Sequence, residues 1–179
     1  MCMSERVHVH GCGHRRSRGH DSVRTDMGMD TVPSYVSNRQ RRSPWTLTVL
    51  ERYNPQYAID GDISTMYHSA NKVTHPWWMI DLQATVYVFS VDTITRQGGF
   101  EYRFHNIEVR VGFTPPSDED FSSWLLLGFY QGPYSYDQGT ITFSNSAGLC
   151  GRYVVVQRVS SDFDQLQLAE VQVFAKSIL

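Results

Sequence analysis

Two arginines, Arg96 and Arg103, stand seven residues apart in RQGGFEYRFHNIEVRVG (96–112), across a glycine pair and just ahead of an alternating apolar run. A guanidinium is a planar fork of five N–H donors with no acceptor, and it keeps its charge throughout the physiological range. Two of them side by side repel unless an anion, or a neutral group rich in oxygen, lies between them. A sugar meets that need with vicinal hydroxyls and a ring oxygen, so the pair suits carbohydrate. Pairing with a local acid such as Glu101 is the plainer alternative. Gly98 and Gly99 let the chain fold back, because glycine reaches positive φ without a Cβ clash.

The turn YAIDGD (57–62) sets Asp60 and Asp62 on either side of Gly61. Carboxylates crowded on one bend, with backbone carbonyls at hand, are hard ligands that suit calcium rather than zinc. An Asp-Gly turn in which Asp60 caps its own backbone needs no metal. Glu170 is an odd acid inside the apolar alternation of LQLAEVQVF (166–174). The stretch HVHGCGHRRSRGH offers His8, His10, Cys12, His14 and His20, which could bind a transition metal. Their spacing matches no closed four-ligand site, so this reads as incidental affinity. Ser, His and Asp are all present without a nucleophile elbow, and no carboxylate pair for glycoside hydrolysis can be placed. The chain reads as a non-enzyme.

Strands must position these groups. WTLTVL (45–50), WWMIDL (77–82), VYVFSVDTIT (86–95), NIEVRV (106–111), WLLLGFY (124–130), TITF (140–143), RYVVVQ (152–157) and LQLAEVQVF (166–174) are β-branched, aromatic or alternating. Turn pairs such as Asp60-Gly61, Gly98-Gly99, Pro115-Pro116 and Gly132-Pro133 divide them. No window shows a helical period. About eight short strands predict an all-β protein, an antiparallel β-sandwich or jelly roll. In such a fold the loop carrying Arg96 and Arg103 lies at one end of the sandwich. Trp77 and Trp78 point to opposite faces, Trp45 and Trp124 read as packing residues, and Arg152 is expected to pair with an acid.

The length of 179 residues fits one domain with a tail. Residues 1–43 are rich in Arg, His, Ser and Gly without a period, and read as a disordered tail; residues 44–179 read as the folded domain. The tail holds eight arginines against four acids. The remainder holds eight basic and fourteen acidic residues, and the whole chain carries −2. A net acidic body argues against binding a phosphate backbone, so no nucleic acid is expected. No apolar run is long enough to span a bilayer, and the first residues show no secretory signal. The three cysteines (Cys2, Cys12 and Cys150) make no disulfide framework within the body. A link from Cys150 to the tail is possible, and the redox compartment stays open.

The segments YAIDGDISTMYHS, HPWWMIDL, RQGGFEYRFHNIEVRVG, GLCGRYVVVQ and DQLQLAEVQVF together resemble the F-type lectins. These are the fucose-binding branch of the discoidin-like (coagulation factor 5/8 type C) domains. The likeness runs from about Trp45 to Phe174. It implies a discoidin-like jelly roll and a sugar site built from one histidine and two arginines, in a motif H-x26-R-x-D-x4-R/K. Arg96 and Arg103 fall on the two basic positions. Gly98 stands where the motif has aspartate, and Gly99-Phe100 where the family has an adjacent cysteine pair. Phe100 then offers its face to the sugar. His68 lies 28 positions before Arg96, one more than the motif, and His75 lies 21 before it; His68 is favoured. The resemblance also implies a structural calcium held by Asp60, Asp62 and Glu170, the carbonyls of Tyr57 and Ala169, and a loop oxygen near Ser69 or Asn71.

The expected function is therefore a calcium-stabilised lectin module for fucose or a related terminal monosaccharide on glycans. By the same resemblance it is extracellular, and a homo-oligomer is possible. Two other readings remain. One is a discoidin-like adhesion module binding protein or lipid, with Phe100 and Tyr102 as aromatic contacts; the other is a carbohydrate-binding appendage of a larger protein.

Overall fold

Alternation drives the architecture. In β3 (Ile107–Gly112) the side chains of Ile107, Val109 and Val111 are fully buried, while Glu108 and Arg110 lie on the other face and stay partly exposed. The computed structural model describes residues 54–116 and 118–178. Five further strands join β3: β1 (Tyr67–His68), β2 (Trp77–Thr95), β4 (Leu125–Tyr130), β5 (Ile141–Arg158) and β6 (Gln167–Ser177). They hydrogen-bond in the order β1-β6-β2-β5-β3-β4, every neighbour antiparallel. Two short 3-10 turns, Pro55–Ala58 and Glu101–Arg103, complete the described elements.

Two long strands turn this one ladder into two layers. Trp77–Asp81 of β2 pairs with Gln157–Tyr153 of β5, beside β3; Val86–Thr95 pairs with the first part of β5 and with β6. Between these halves the register shifts at Asp81/Val86 and again at Val88/Ser90. Bulges sharpen twist and bend a strand. The halves therefore face one another as an antiparallel sandwich. Between them lie Trp78, Ile80, Val109, Val154 and Val156 from one half and Val88, Val91, Phe143, Val171 and Val173 from the other. Each such side chain contributes about 1.5–3 kcal/mol by leaving water. A second cluster, Phe121, Trp124 and Val155 with Trp77, Met79 and Tyr153 against it, covers the outer face. Trp78 is thus core and Trp77 covers the sheet, as their alternation predicts.

The strand count differs from expectation. Segments 77–82 and 86–95 are one strand, because Gln83 takes a positive φ of 67° and donates its amide to Asp81 Oδ1 at 2.8 Å, which bulges the strand without ending it. The expected TITF and RYVVVQ segments likewise belong to the single β5. β1 is two residues long, too short to show in an alternation. The expected strand 45–50, Trp45, the tail and its His/Cys group lie outside the described residues. Cys150 is disulfide-bonded, with its partner outside the described residues. Arg152 pairs with Asp81 through two bonds of 2.7 Å.

Register places the site. β6 lies between β1 and β2, with His68 opposite Gln167 and Thr95 opposite Leu168. His68 and Arg96 therefore leave the sheet at the same end.

Candidate functional site

Arg96 follows the last residue of β2. The chain then passes through Gly98, Gly99 and Phe100 with φ of 79°, 101° and 70°, three left-handed residues in a row. Phe100 has a Cβ and bears some strain in this region. The Gly99 amide donates to Glu101 Oε1 at 3.0 Å and the Arg103 amide to the Phe100 carbonyl at 3.1 Å, closing the loop into the 3-10 turn. Glu101 thus fastens the turn. It makes no ion pair with Arg96 or Arg103 among the described residues; the acid that Arg103 meets is Asp164, from another loop.

The two guanidiniums converge on one ring. The central carbon of Arg96 lies 5.0 Å, and that of Arg103 4.3 Å, from the centroid of Phe100. Each cation–π contact is worth about 0.5–1 kcal/mol at an exposed site. Phe100 therefore offers its π-face to two like charges, a role the sequence does not announce. Gln97 to Phe100 are exposed, so the arginines border open surface.

His68 completes the group. Its imidazole sits below the ordinary histidine value: burial is the largest cause, a bond to the Ser69 carbonyl opposes it, and the charges of Arg103 and Arg96 lower it further. Both arginines are thus close enough to act on this ring. Nδ1 lies 2.6 Å from the Ser69 carbonyl oxygen, which can only accept. Nδ1 must carry the proton, leaving Nε2 of the neutral ring as an acceptor. His75 lies elsewhere, in a loop where its carbonyl accepts from Gln157. Two donor forks, one acceptor and one aromatic ring gather at the end of the sheet.

A second group, which sequence reasoning missed, lies behind Arg103. Asp164, in the loop between β5 and β6, approaches Arg103 Nε at 3.5 Å. Arg158, the last residue of β5 and fully buried, pairs with Asp162 and lies 3.7 Å from Asp164 Oδ2 through Nη1. His105 Nε2 is 3.6 Å from Asp162 and 3.9 Å from Asp164. Among the described residues, His105, Asp162 and Asp164 are the one trio of potential metal ligands within 4.8 Å of each other. Two guanidiniums already neutralise these acids. Arg158, Asp162 and Asp164 lie within seven residues of one another, but that they face Arg103 and His105 follows only from the pairing of β3 with β5.

The expected calcium ligands lie on β6 and the loop beside it, but the carboxylates of Asp60, Asp62 and Glu170 do not all come within 4.8 Å of one another. Glu170 is buried, and its Oε2 accepts the Gly61 amide at 3.0 Å. Burial pushes its carboxyl above the ordinary range; the Gly61 bond opposes this, and the charge of Asp60 adds to it. Ala169 is the extra residue of a bulge, since Ile94 pairs with Glu170 and Thr95 with Leu168. Asp60 and Asp62 also cap their own turn. Asp60 Oδ1 accepts the Asp62 amide at 2.9 Å and Asp60 Oδ2 accepts the Thr65 hydroxyl at 2.7 Å, while Asp62 Oδ1 accepts from Ser64 N and Oγ at 2.9 and 2.6 Å. Tyr57 lies in the adjoining 3-10 turn. A buried carboxylate beside a second one, next to an interrupted ladder, is a donor set that fits a hard cation.

A bent antiparallel β-sandwich with its polar groups on end loops is the discoidin-like architecture. The chain belongs to the F5/F8 type C, NedA-like galactose-binding domain family, whose model matches residues 57–156. A pentraxin fusion protein of Xenopus laevis is 31% identical over 122 residues, which is 65% of this chain and 28% of that protein. The chain thus spans little more than a quarter of this curated relative. The crystal structure of an F-lectin (fucolectin) from striped bass (Morone saxatilis) serum superposes with a TM-score of 0.62 at 26% identity, over 74% of this chain and 44% of that one. A fucose-binding module of Streptococcus pneumoniae shares the fold with a TM-score of 0.58 at 19% identity, over 73% and 91%. The resemblance to F-type lectins read from the sequence stands.

Proposed function

We propose that this chain is a carbohydrate-binding lectin module that takes fucose or a related terminal monosaccharide at the His68–Arg96–Arg103 rim. The observation that carries this is the convergence of both guanidiniums on Phe100, close enough to His68 to lower its pKa. The arginines donate to neighbouring hydroxyls and the ring oxygen, and Nε2 of His68 accepts from a hydroxyl. The exposed part of Phe100 packs on the sugar's apolar edge. Charge-assisted bonds are about twice as strong as neutral ones. Three or so of them account for the roughly 4–8 kcal/mol of a millimolar to micromolar ligand.

The names of the similar structures support the sugar class, and the family description adds galactose as the competitor to fucose. The module acts by recognition rather than catalysis. The short share of its longer relatives that it covers favours an appendage to a larger protein or a multivalent assembly outside the cell. No helix among the described residues is long and apolar enough to cross a membrane. We further assign a structural calcium to Asp60, Asp62 and Glu170 with the carbonyls of Tyr57 and Ala169. When bound, the cation neutralises the buried acid and ties the 57–65 loop to β6.

Calorimetric titration of the full chain with methyl α-L-fucoside, and with the galactoside as comparison, tests the reading. Arg96→Ala and Arg103→Ala should each weaken binding by roughly ten- to a hundredfold, the worth of a hydrogen bond to a charged group. Absence of binding to either sugar at millimolar concentration, with co-sedimentation on liposomes, would replace the lectin by the adhesion module.

A further inference from the structure

The loop that carries Arg96 and Arg103 holds one acid, Glu101, and that acid is bonded to the Gly99 amide. Something else must fix the direction of Arg103, since a long side chain loses about 2 kcal/mol of rotamer entropy on being held. We infer that Asp164 is the positioning residue for Arg103, and that buried Arg158 anchors Asp164 in turn; the inference rests on the sugar-site reading above.

The geometry forms a chain of charges. Arg158 is fully buried, and burial pushes its guanidinium below its ordinary value against the pull of Asp162 and Asp164. Its Nη2 donates to the Asp162 carbonyl at 2.9 Å and also pairs with the Asp162 carboxylate, which folds the loop after β5 back on itself. That fold presents Asp164 toward two cations, with Oδ2 facing Arg158 and Oδ1 facing Arg103. The two loops are tied where Val159 donates to the Asn106 carbonyl at 2.8 Å. Arg103 is therefore held by two contacts, the Phe100 ring and the Asp164 carboxylate.

The contact at 3.5 Å is an attraction of charges without a hydrogen bond, and Arg103 Nε is buried without a hydrogen-bond partner. Asp164 thus orients the guanidinium through its buried Nε and leaves the terminal Nη groups for an acceptor from outside. A tighter, bidentate pair would have used the donors that a sugar needs. Asp164 sits on a different loop from Arg96, so it acts on one arginine of the two.

Three variants of the full chain test this. Asp164→Asn keeps the volume and removes the charge. Asp164→Glu restores the charge. Gly112→Ala, whose added Cβ would lie 2.3 Å from the Trp124 ring, destabilises the fold at the end of β3 away from the rim. In the ligand-free protein, Asp164→Asn should shift and broaden the side-chain Nε–Hε resonance of Arg103 while that of Arg96 stays in place. Its affinity for methyl α-L-fucoside should fall about tenfold, the usual worth of an outer partner that orients a binding group. Asp164→Glu should recover most of that loss. Gly112→Ala should lower the melting temperature yet keep the affinity within about twofold, which separates orientation from general destabilisation. An unmoved Arg103 resonance, or Asp164→Asn binding as tightly as the parent, overturns the inference while leaving the lectin reading intact. If the parent binds no sugar, that reading fails on its own, and the Arg103 resonance alone decides whether Asp164 holds the side chain.

Discussion

His68 shows how much chemistry one buried ring contributes. With Nδ1 donating to the Ser69 carbonyl, Nε2 accepts only while the ring is neutral. Protonation would remove the acceptor and add a third positive charge beside Arg96 and Arg103. The folded-state value lies below the ordinary 6.5, so the neutral ring, and the stability tied to it, is fully present above 6.5 and lost as pH falls through the lowered value. Sugar affinity should be level at neutral pH and drop about tenfold per unit once below that value; titration calorimetry between pH 4.5 and 8 checks it. A flat profile down to pH 4.5 would mean that the sugar does not reach the ring. At this scale the sequence was informative about Arg96 and Arg103, because their spacing survives in the turn. It was silent about Asp164 and Arg158: they stand six residues apart, but Arg103 and His105, which they face, lie more than fifty residues away and meet them only through strand pairing. Phe100 was read as a sugar platform, whereas its ring also takes a cation–π contact from each arginine.

Strands were legible where one face is buried and the other wet, as in β3. They were misread where a polar stretch bulges a strand without ending it, as at Asp81–Gln83 in β2. Close packing against the outer layer sets another constraint that no alternation reveals. A Cβ on Gly112, at the end of β3, would lie 2.3 Å from the Trp124 ring, far inside contact distance. Trp124 is itself pinned by Phe121 at 5.1 Å and Tyr153 at 6.3 Å between centroids. Gly112→Ala should therefore cost about 1–3 kcal/mol by overpacking. For a chain of this size that lowers the melting temperature by roughly 2–12 °C. Melting at the parent temperature would show that the indole moves aside freely. Sugar affinity should be unchanged, since β3 ends away from the rim.

At the scale of the molecule, the Glu170–Gly61 bond fastens the 57–65 loop to β6, and with it the end of the sheet from which His68 projects. Glu170 has a raised value, so its neutral form stabilises the fold below the ordinary 4.5 and that contribution is lost as pH rises through the raised value. A bound cation would offset the loss at neutral pH. Chelation with EDTA should therefore lower the melting temperature at pH 7 and much less at pH 4.5, and Glu170→Gln should erase the difference; equal melting curves with and without EDTA at pH 7 would remove calcium from the description. The antiparallel register of β2 and β6 has a mechanical consequence. Thr95, next to the rim, faces Leu168, and Val86 at the far end faces Ser177, with nine pairs between and including them and two bulges among these. A load drawn between a captured glycan and the Ser177 end runs along both strands. It strains those rungs side by side in shear instead of peeling them one after another, which is the orientation in which a ladder resists rupture best.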